Sequence, residues 1–284
     1  MFSFNTYEGC MTVSLAPRPA NEEQRVQAVI KTGLIDAPDN TNFQVYCDLA
    51  KDITGFHRAT FSLFDAEMQC AIADVGGNKE VGERGIRHEN NICSYVLLDT
   101  KPLLMEDISK DPIWKNHPKA LDGSMEWYGY AGFPVINKDN FALGTLCMLH
   151  KTPKALNQNQ VELIEKITSN MALLLDVQVE QKEITSQKIL EALVNFQKYD
   201  SNLTIQDFKS FVSIVSDIKV EKSQASFLIE KGLCITNQNG LVELTSSGVK
   251  LQSDMKLEVK PMKKIKLAGN AAQSLIDEMF AKIN

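Results

Sequence analysis

The sequence predicts an α/β fold, a central antiparallel sheet with helices on both faces, followed by a small α+β domain. Three observations predict it. The residue period changes from helical to alternating after Gly55 and returns to helical after Leu156. The run FALGTLCML (141–149) is apolar on both faces, which marks a strand covered on both sides. Beyond residue 202 short amphipathic stretches surround an Asn-Gly dipeptide at 239–240, a strong hairpin signal.

The chain has 284 residues, which suits one large domain or two ordinary ones, and 44% hydrophobic content is enough for a packed core. Net charge is −6, so no global basic field invites nucleic acid. The balance is uneven: residues 1–189 carry 18 Lys+Arg against 25 Asp+Glu, and residues 190–284 carry 12 against 11. No run of 18 apolar residues occurs, so no membrane span is expected. The start, MFSFNTYEGCMTVSLAPRP, lacks a basic stretch followed by an apolar core, so no secretory signal is expected either. Six scattered cysteines form no CxxC or Cys/His pairing. They are expected to be reduced, core-filling thiols of a cytoplasmic protein without structural zinc.

Residues 1–21 read as an irregular lead-in. Asn21 can cap a helix through NEEQRVQAVIKTGLI, with Val26, Val29 and Ile30 as its apolar stripe. A second helix is expected from Thr41 to Thr54, with Phe43, Tyr46 and Leu49/Ala50 at helical spacing and Gly55 as its stop. RATFSLFD and MQCAIAD then alternate as a strand pair around Asp65–Glu67. VGGNKEVGERGIRHEN reads as loop plus a short strand, Asn91 can cap a helix over ICSYVLLD, and PLLMED is a short buried strand. SKDPIWKNHPKALDGSMEWYG is a long excursion with one or two helical turns. YAGFPVI pairs with FALGTLCML through NKDN, and Gly132 and Gly144 mark places where something passes close to the backbone. In the second strand Phe141, Leu143, Thr145, Cys147 and Leu149 are expected on one face. Leu156 to Tyr199 reads as one long helix or two in line, with a polar middle that makes 179–202 a connecting helix. Residues 203–284 are a separate small unit: helix 204–217, helix 220–232, the hairpin, and a final helix over 270–282.

Four stretches of the first unit are similar to the GAF domain, a small-molecule sensory module. They are LIDAPDNTNFQVYCDLAKDITG, ICSYVLLDTKPLLMEDISKDPIW, YAGFPVI and LGTLCMLHKTPKAL. The matching positions include Cys93, Pro102, Asp107, Asp111, Tyr130, Gly132, Pro134, Gly144, Cys147 and Pro153, and the similarity runs over 22–178. The resemblance implies a sensory fold but names no ligand. Gly129, His150 and Lys154 depart from the family pattern, and the bilin-type Cys-His pair and the closely spaced cysteines of free methionine-(R)-sulfoxide reductases are absent. In the last unit, FLIEKGLC…NGLVELTSSG resembles a winged helix over 204–253. That resemblance implies a recognition helix opening near 221–226 and a wing tip at 237–240.

The candidate ligand-binding residues are Cys93, Asp107, Asp111, Trp114, Trp127, Tyr128 and Tyr130. Cys93, one residue past a helix start, is either a low-pKa thiolate or a buried core cysteine. Asp107 and Asp111 either form the polar lip of a pocket walled by Trp114 or cap helical turns. Trp127, Tyr128 and Tyr130 suit ligand recognition, or a core or dimer role. His88, after Arg84 and Arg87, either meets an anionic ligand or lies in a solvated loop. No catalytic triad, phosphate loop or HExxH motif is visible, so no enzyme is expected and no cofactor or metal is named. The expected protein is a cytoplasmic homodimeric regulator. It senses a small molecule and signals through the long helix to an output unit that contacts protein or DNA. A ligand-free interaction module and a thiol redox enzyme acting through Cys93 are the alternatives.

Overall fold

The computed structural model describes residues 14–257. The chain divides into two compact units between Lys182 and Glu183. The helix expected over 270–282, the lysine-rich 260–269 and most of the lead-in lie outside the described residues.

The first unit is built on a six-stranded sheet. Its strands are β1 (Arg58–Phe64), β2 (Met68–Val75), β3 (Arg84–Ile86), β4 (Leu103–Met105), β5 (Gly129–Ile136) and β6 (Ala142–His150). The order is β3-β2-β1-β6-β5-β4, with every neighbouring pair antiparallel. The β5–β6 hairpin thus supplies β6 to the middle of the sheet beside β1, as the doubly apolar run requires. Gly144 is forced by this position. A methyl there would lie 3.0 Å from the Ser62 carbonyl carbon and closer still to its oxygen.

The alternation expected for β6 fails at Leu143. Val135 pairs with Gly144 and Ile136 with Ala142, so Leu143 is the extra residue of a bulge. The shift turns Leu143 into the same core as Leu146 and Met148, instead of the face of Cys147.

Three helices cover one face: α1 (Glu22–Thr32), α2 (Gln44–Thr54) and the N-terminal part of α5 (Gln158–Tyr199). Val29, Phe43, Cys47 and Ala50 pack with Ile164, Met171 and Leu175 against Phe61, Phe133 and Leu146. Burying such side chains contributes roughly 1.5–3 kcal/mol each. α2 follows its expected spacing, with Phe43, Cys47 and Ala50 fully inside, although Leu49 faces solvent. In α1 only Val29 of the expected stripe is buried. Ile30 is 47% exposed, and Arg25 is buried instead.

Arg25 is inside because it satisfies the β1–β2 turn. It donates to the carbonyls of Phe64 (2.8 Å) and Asp65 (3.1 Å) and pairs with Glu22 at 2.7 Å. Arg87 approaches the same carboxylate at 2.6 Å and is also fully buried. The buried charges are therefore paired, as low dielectric demands. Burial by itself would raise the Glu22 pKa, but the two guanidiniums overcome it and hold the carboxyl below its usual value. The solvated-loop expectation is thereby corrected at Arg87 and His88, while Arg84 stays exposed on β3. Arg87 serves the protein's own carboxylate, Arg84 donates to the Ile35 carbonyl at 2.6 Å, and His88 turns toward a cavity.

The other face carries lighter cover: α3 (Ile92–Val96), two 3-10 turns at Ile108–Lys110 and Trp114–Asn116, and α4 (Pro118–Leu121). Val96, Met105, Ile108, Trp114, Tyr130 and Cys147 form a separate small core there.

The second unit holds the end of α5, α6 (Ile205–Val215), a 3-10 turn (Lys222–Ala225) running into α7 (Ser226–Glu230), the hairpin β7 (Cys234–Thr236)/β8 (Val242–Leu244), and α8 (Ser246–Asp254). Thr204 and Asp207 form a reciprocal capping box that starts α6. Phe196 of α5 packs on Phe208 and Phe211, each with ring centroids 5.4 Å away. Asn237 Oδ1 accepts from Asn239 N and Leu241 N, and Gly240 takes φ +77°, which closes the hairpin where Asn-Gly placed it. The single helix expected over 220–232 is instead a 3-10 turn and a five-residue helix, ended by Gly232 at φ +69°. The winged-helix expectation therefore does not stand as a finding. With so short a second helix and three-residue strands, the elements do not define that fold.

Candidate functional site

A cavity of about 460 Å³ lies on the lightly covered face, between the sheet and the excursion after β4. The excursion begins and ends at one neck. Ile108 N donates to Tyr128 O at 2.8 Å, Tyr128 N to His150 O at 2.8 Å, and Lys154 N to Glu106 O at 2.9 Å. Between these ends two aspartates start the two 3-10 turns. Asp107 Oδ1 accepts from Ser109 N (3.1 Å) and Oγ (2.6 Å), and Asp111 Oδ1 accepts from Ile113 N (2.9 Å) and Trp114 N (3.0 Å). Both acids thus act as caps that shape the lid and do not line the cavity. Burial opposes ionisation of Asp107, but Ser109 and Lys110 more than offset it and leave the carboxyl below its usual pKa.

Trp114 seats the lid. It is buried and meets Tyr95 edge-on, with ring centroids 4.8 Å apart. His117 pins the next turn: its Nδ1 accepts from Lys119 N at 3.1 Å, so Nε2 carries the proton that goes to Asn90 O at 3.2 Å. Burial lowers its pKa and favours this neutral form.

The cavity wall combines Ile92, Ile108, Met125, Trp127 and Leu149 with the polar groups of Gln69, His88, Asn90, Asn91, His117, Lys119 and Glu126. Gln69 and Asn91 are locked together. Asn91 Nδ2 donates to Gln69 Oε1 at 2.9 Å, and Gln69 Nε2 to Ser62 Oγ at 2.9 Å. His88 Nδ1 accepts from Asn90 N at 3.1 Å, which leaves its neutral ring a donor at Nε2. Lys151 Nζ lies 5.9 Å from the centre of the Trp127 ring.

At the floor, Cys93, Tyr130 and Cys147 meet. Tyr130 Oη is 3.1 Å from Cys147 Sγ and 3.5 Å from Cys93 Sγ, and Cys147 Sγ is 3.1 Å from Thr145 Oγ1. The Cys147 thiol beside it brings the Cys93 pKa down to about 7; burial opposes this and the Tyr130 hydroxyl assists it. Burial pushes Cys147 and Tyr130 well up, so the only thiolate this floor favours is on Cys93. Cys93 is the second residue of the five-residue α3, and the neighbouring Cys147 thiol and Tyr130 hydroxyl lower its pKa.

Of the seven expected site residues, Cys93, Trp127 and Tyr130 line the cavity. Asp107, Asp111 and Trp114 build the lid. Tyr128 contributes its backbone to the lid's neck. The sequence reading missed Gln69, Asn90, Asn91, His117, Met125 and Leu149. Asn91 had a signal as a helix cap, and His117 had one in its His-Pro step. Among the described residues no group of three or more His, Cys, Asp or Glu could hold a metal ion, and no helix is long and apolar enough to cross a membrane.

Residues 42–176 match the family model of the GAF domain. A cyclic di-GMP phosphodiesterase of Pseudomonas aeruginosa is 24% identical over 150 residues, which are 52% of this chain and 25% of that protein. The chain thus spans about a quarter of that relative's length. The PixJ GAF domain of Thermosynechococcus elongatus aligns at 13% identity and TM-score 0.42, covering 60% of this chain and 96% of that one. The GAF domain of an Acinetobacter phosphoenolpyruvate-protein phosphotransferase aligns at 14% and 0.41, covering 59% and 97%. A type II free methionine-R-sulfoxide reductase of Thermoplasma acidophilum aligns at 15% and 0.40, covering 51% and 94%. On the family match, which takes in the sheet, the lid and most of the cavity wall, residues 42–176 are a GAF domain.

Proposed function

We propose that this protein is a cytoplasmic sensory regulator whose GAF domain takes a small molecule into the cavity over Cys93, Trp127 and Tyr130. The observation that carries the reading is the cavity itself. At about 460 Å³ it falls in the range of small-molecule sites, with apolar walls and a few fixed polar groups. Asp107, Asp111, Trp114 and Tyr128 act in this reading by holding the lid over the ligand. A bound molecule would bias the lid, and the continuous helix α5 is the element available to carry that bias onward. Exposed Leu163, Leu173 and Val177 on α5 and Ile30 on α1 support homodimerisation through these helices.

The C-terminal unit is the proposed output, by contact with protein in preference to DNA. Residues 183–257 hold eight lysines and no arginine against nine acids, too weak a field for phosphate backbone. The winged-helix reading belongs to this proposal. The catalytic activity of the P. aeruginosa relative is not carried over, since the match takes in only 25% of that protein.

Native mass spectrometry of freshly purified protein tests the reading. A retained mass that is lost in Trp127→Ala supports it. The bare chain mass, with no nucleotide, amino acid or tetrapyrrole raising the unfolding temperature, sinks it.

A further inference from the structure

We propose that Cys93 and Cys147 are a peroxide-responsive dithiol that closes to a disulfide across the cavity floor. Both sulfurs hydrogen-bond one phenol oxygen, Tyr130 Oη, at 3.5 and 3.1 Å, which holds them side by side at the floor. Their exposures divide the labour. Cys93 is half-buried and lines the cavity, whereas Cys147 is 5% exposed and does not line it. The other described cysteines contrast with this pair. Cys47 and Cys70 sit in the helix-covered core and Cys234 in the second unit, and burial pushes Cys47 up to about 12 and Cys234 to about 11. A thiolate is the nucleophile in such chemistry, and Cys93 is where one is favoured at neutral pH.

The reaction balances with a hydroperoxide as oxidant. The Cys93 thiolate attacks the terminal oxygen of ROOH, the O–O bond breaks, and the alkoxide leaves with a proton as ROH. Cys93 is then a sulfenic acid. The Cys147 sulfur attacks Cys93 Sγ, its proton passing to the departing hydroxyl by way of Tyr130 Oη. The S–O bond breaks, the S–S bond forms, and water leaves into the cavity. Two thiols lose two electrons and two protons, and the peroxide becomes an alcohol and water. An external dithiol that enters the cavity restores the pair by exchange at Cys93, the cysteine that lines it. The disulfide would tie α3 to the central strand β6 and change the floor against which any ligand rests. None of this requires a ligand.

The test is peptide mapping of the full, reduced chain after equimolar hydrogen peroxide, alkylation and digestion without reductant. The expected result is a Cys93–Cys147 cross-linked peptide, lighter by two hydrogens and reversed by dithiothreitol. In Cys147→Ser the link is lost and dimedone captures a sulfenic acid on Cys93; in Cys93→Ser neither product forms. A link from Cys93 to any other cysteine, Cys10 included, overturns the proposal. So does peroxide oxidation of folded wild type that leaves Cys93 unmodified or carries it to sulfinic acid with no link. The wild-type map decides alone if a variant does not fold.

Discussion

Tyr130 Oη stands 3.1 Å from Cys147 Sγ, and a glycine two residues along the strand makes that position available. A methyl at Gly132 would lie 2.6 Å from Val96 Cγ2 and closer still to the Tyr130 hydroxyl. The tyrosine ring lies over this bare stretch of β5. Gly132→Ala should displace Tyr130 from both sulfurs and cost about 1–3 kcal/mol, the usual price of overpacking. Urea unfolding checks the cost, and the midpoint of Cys93 alkylation against pH, rising from about 7 toward 9, checks the displacement. Gly144→Ala should be worse, because backbone of the neighbouring strand stands in the way.

Glu22 holds two fully buried arginines. Glu22→Gln leaves their charges underpaired and should cost about 3 kcal/mol at neutral pH. The folded carboxyl has a depressed pKa, so its contribution is complete above the unfolded value of 4.5 and is lost as pH falls through the lower folded value. Wild type and variant should therefore converge in stability below pH 4.5. Denaturation curves that stay parallel into acid would refute this account.

His117 pins the lid only while neutral, since Nδ1 must accept from Lys119 N. Its folded pKa is held below 6.5, so the stability it lends is full above 6.5 and fades as pH falls from there toward the folded pKa. His117→Ala should speed hydrogen exchange of amides 107–122 without touching those of β6. Lowering the pH of wild type through this window should have the same local effect.

In the second unit, Phe196→Ala removes a fully buried ring that touches Phe208 and Phe211 and should cost about 3–5 kcal/mol. Calorimetry should show the loss in the transition of that unit. A GAF-domain transition that falls equally would mean the two units melt as one.

The hairpin 129–150 was legible from period alone, whereas capping was only one of two open readings for Asp107 and Asp111, and Trp114, expected as a pocket wall, packs buried against Tyr95 instead. Leu143 was misplaced because a bulge changes parity, and no pattern within β6 announces it. Ile30 and Arg25 exchanged expected places because carbonyls of a turn far along the chain, at Phe64 and Asp65, needed donors. The helix read over 220–232 was apolar at helical spacing, yet its first turn takes the 3-10 form with a capping box of its own between Glu221 and Gln224.

By itself the sequence determined that a two-faced strand would sit mid-sheet, that helices would flank it, and that a separate small unit would follow. These are consequences of which residues avoid water, and periodicity records them. Only the tertiary structure decided that Cys93 and Cys147, from a short helix and a central strand, would share one phenol oxygen at the base of a cavity. That depends on distances between segments remote in the chain, set by strand order and register, and no local spacing encodes them.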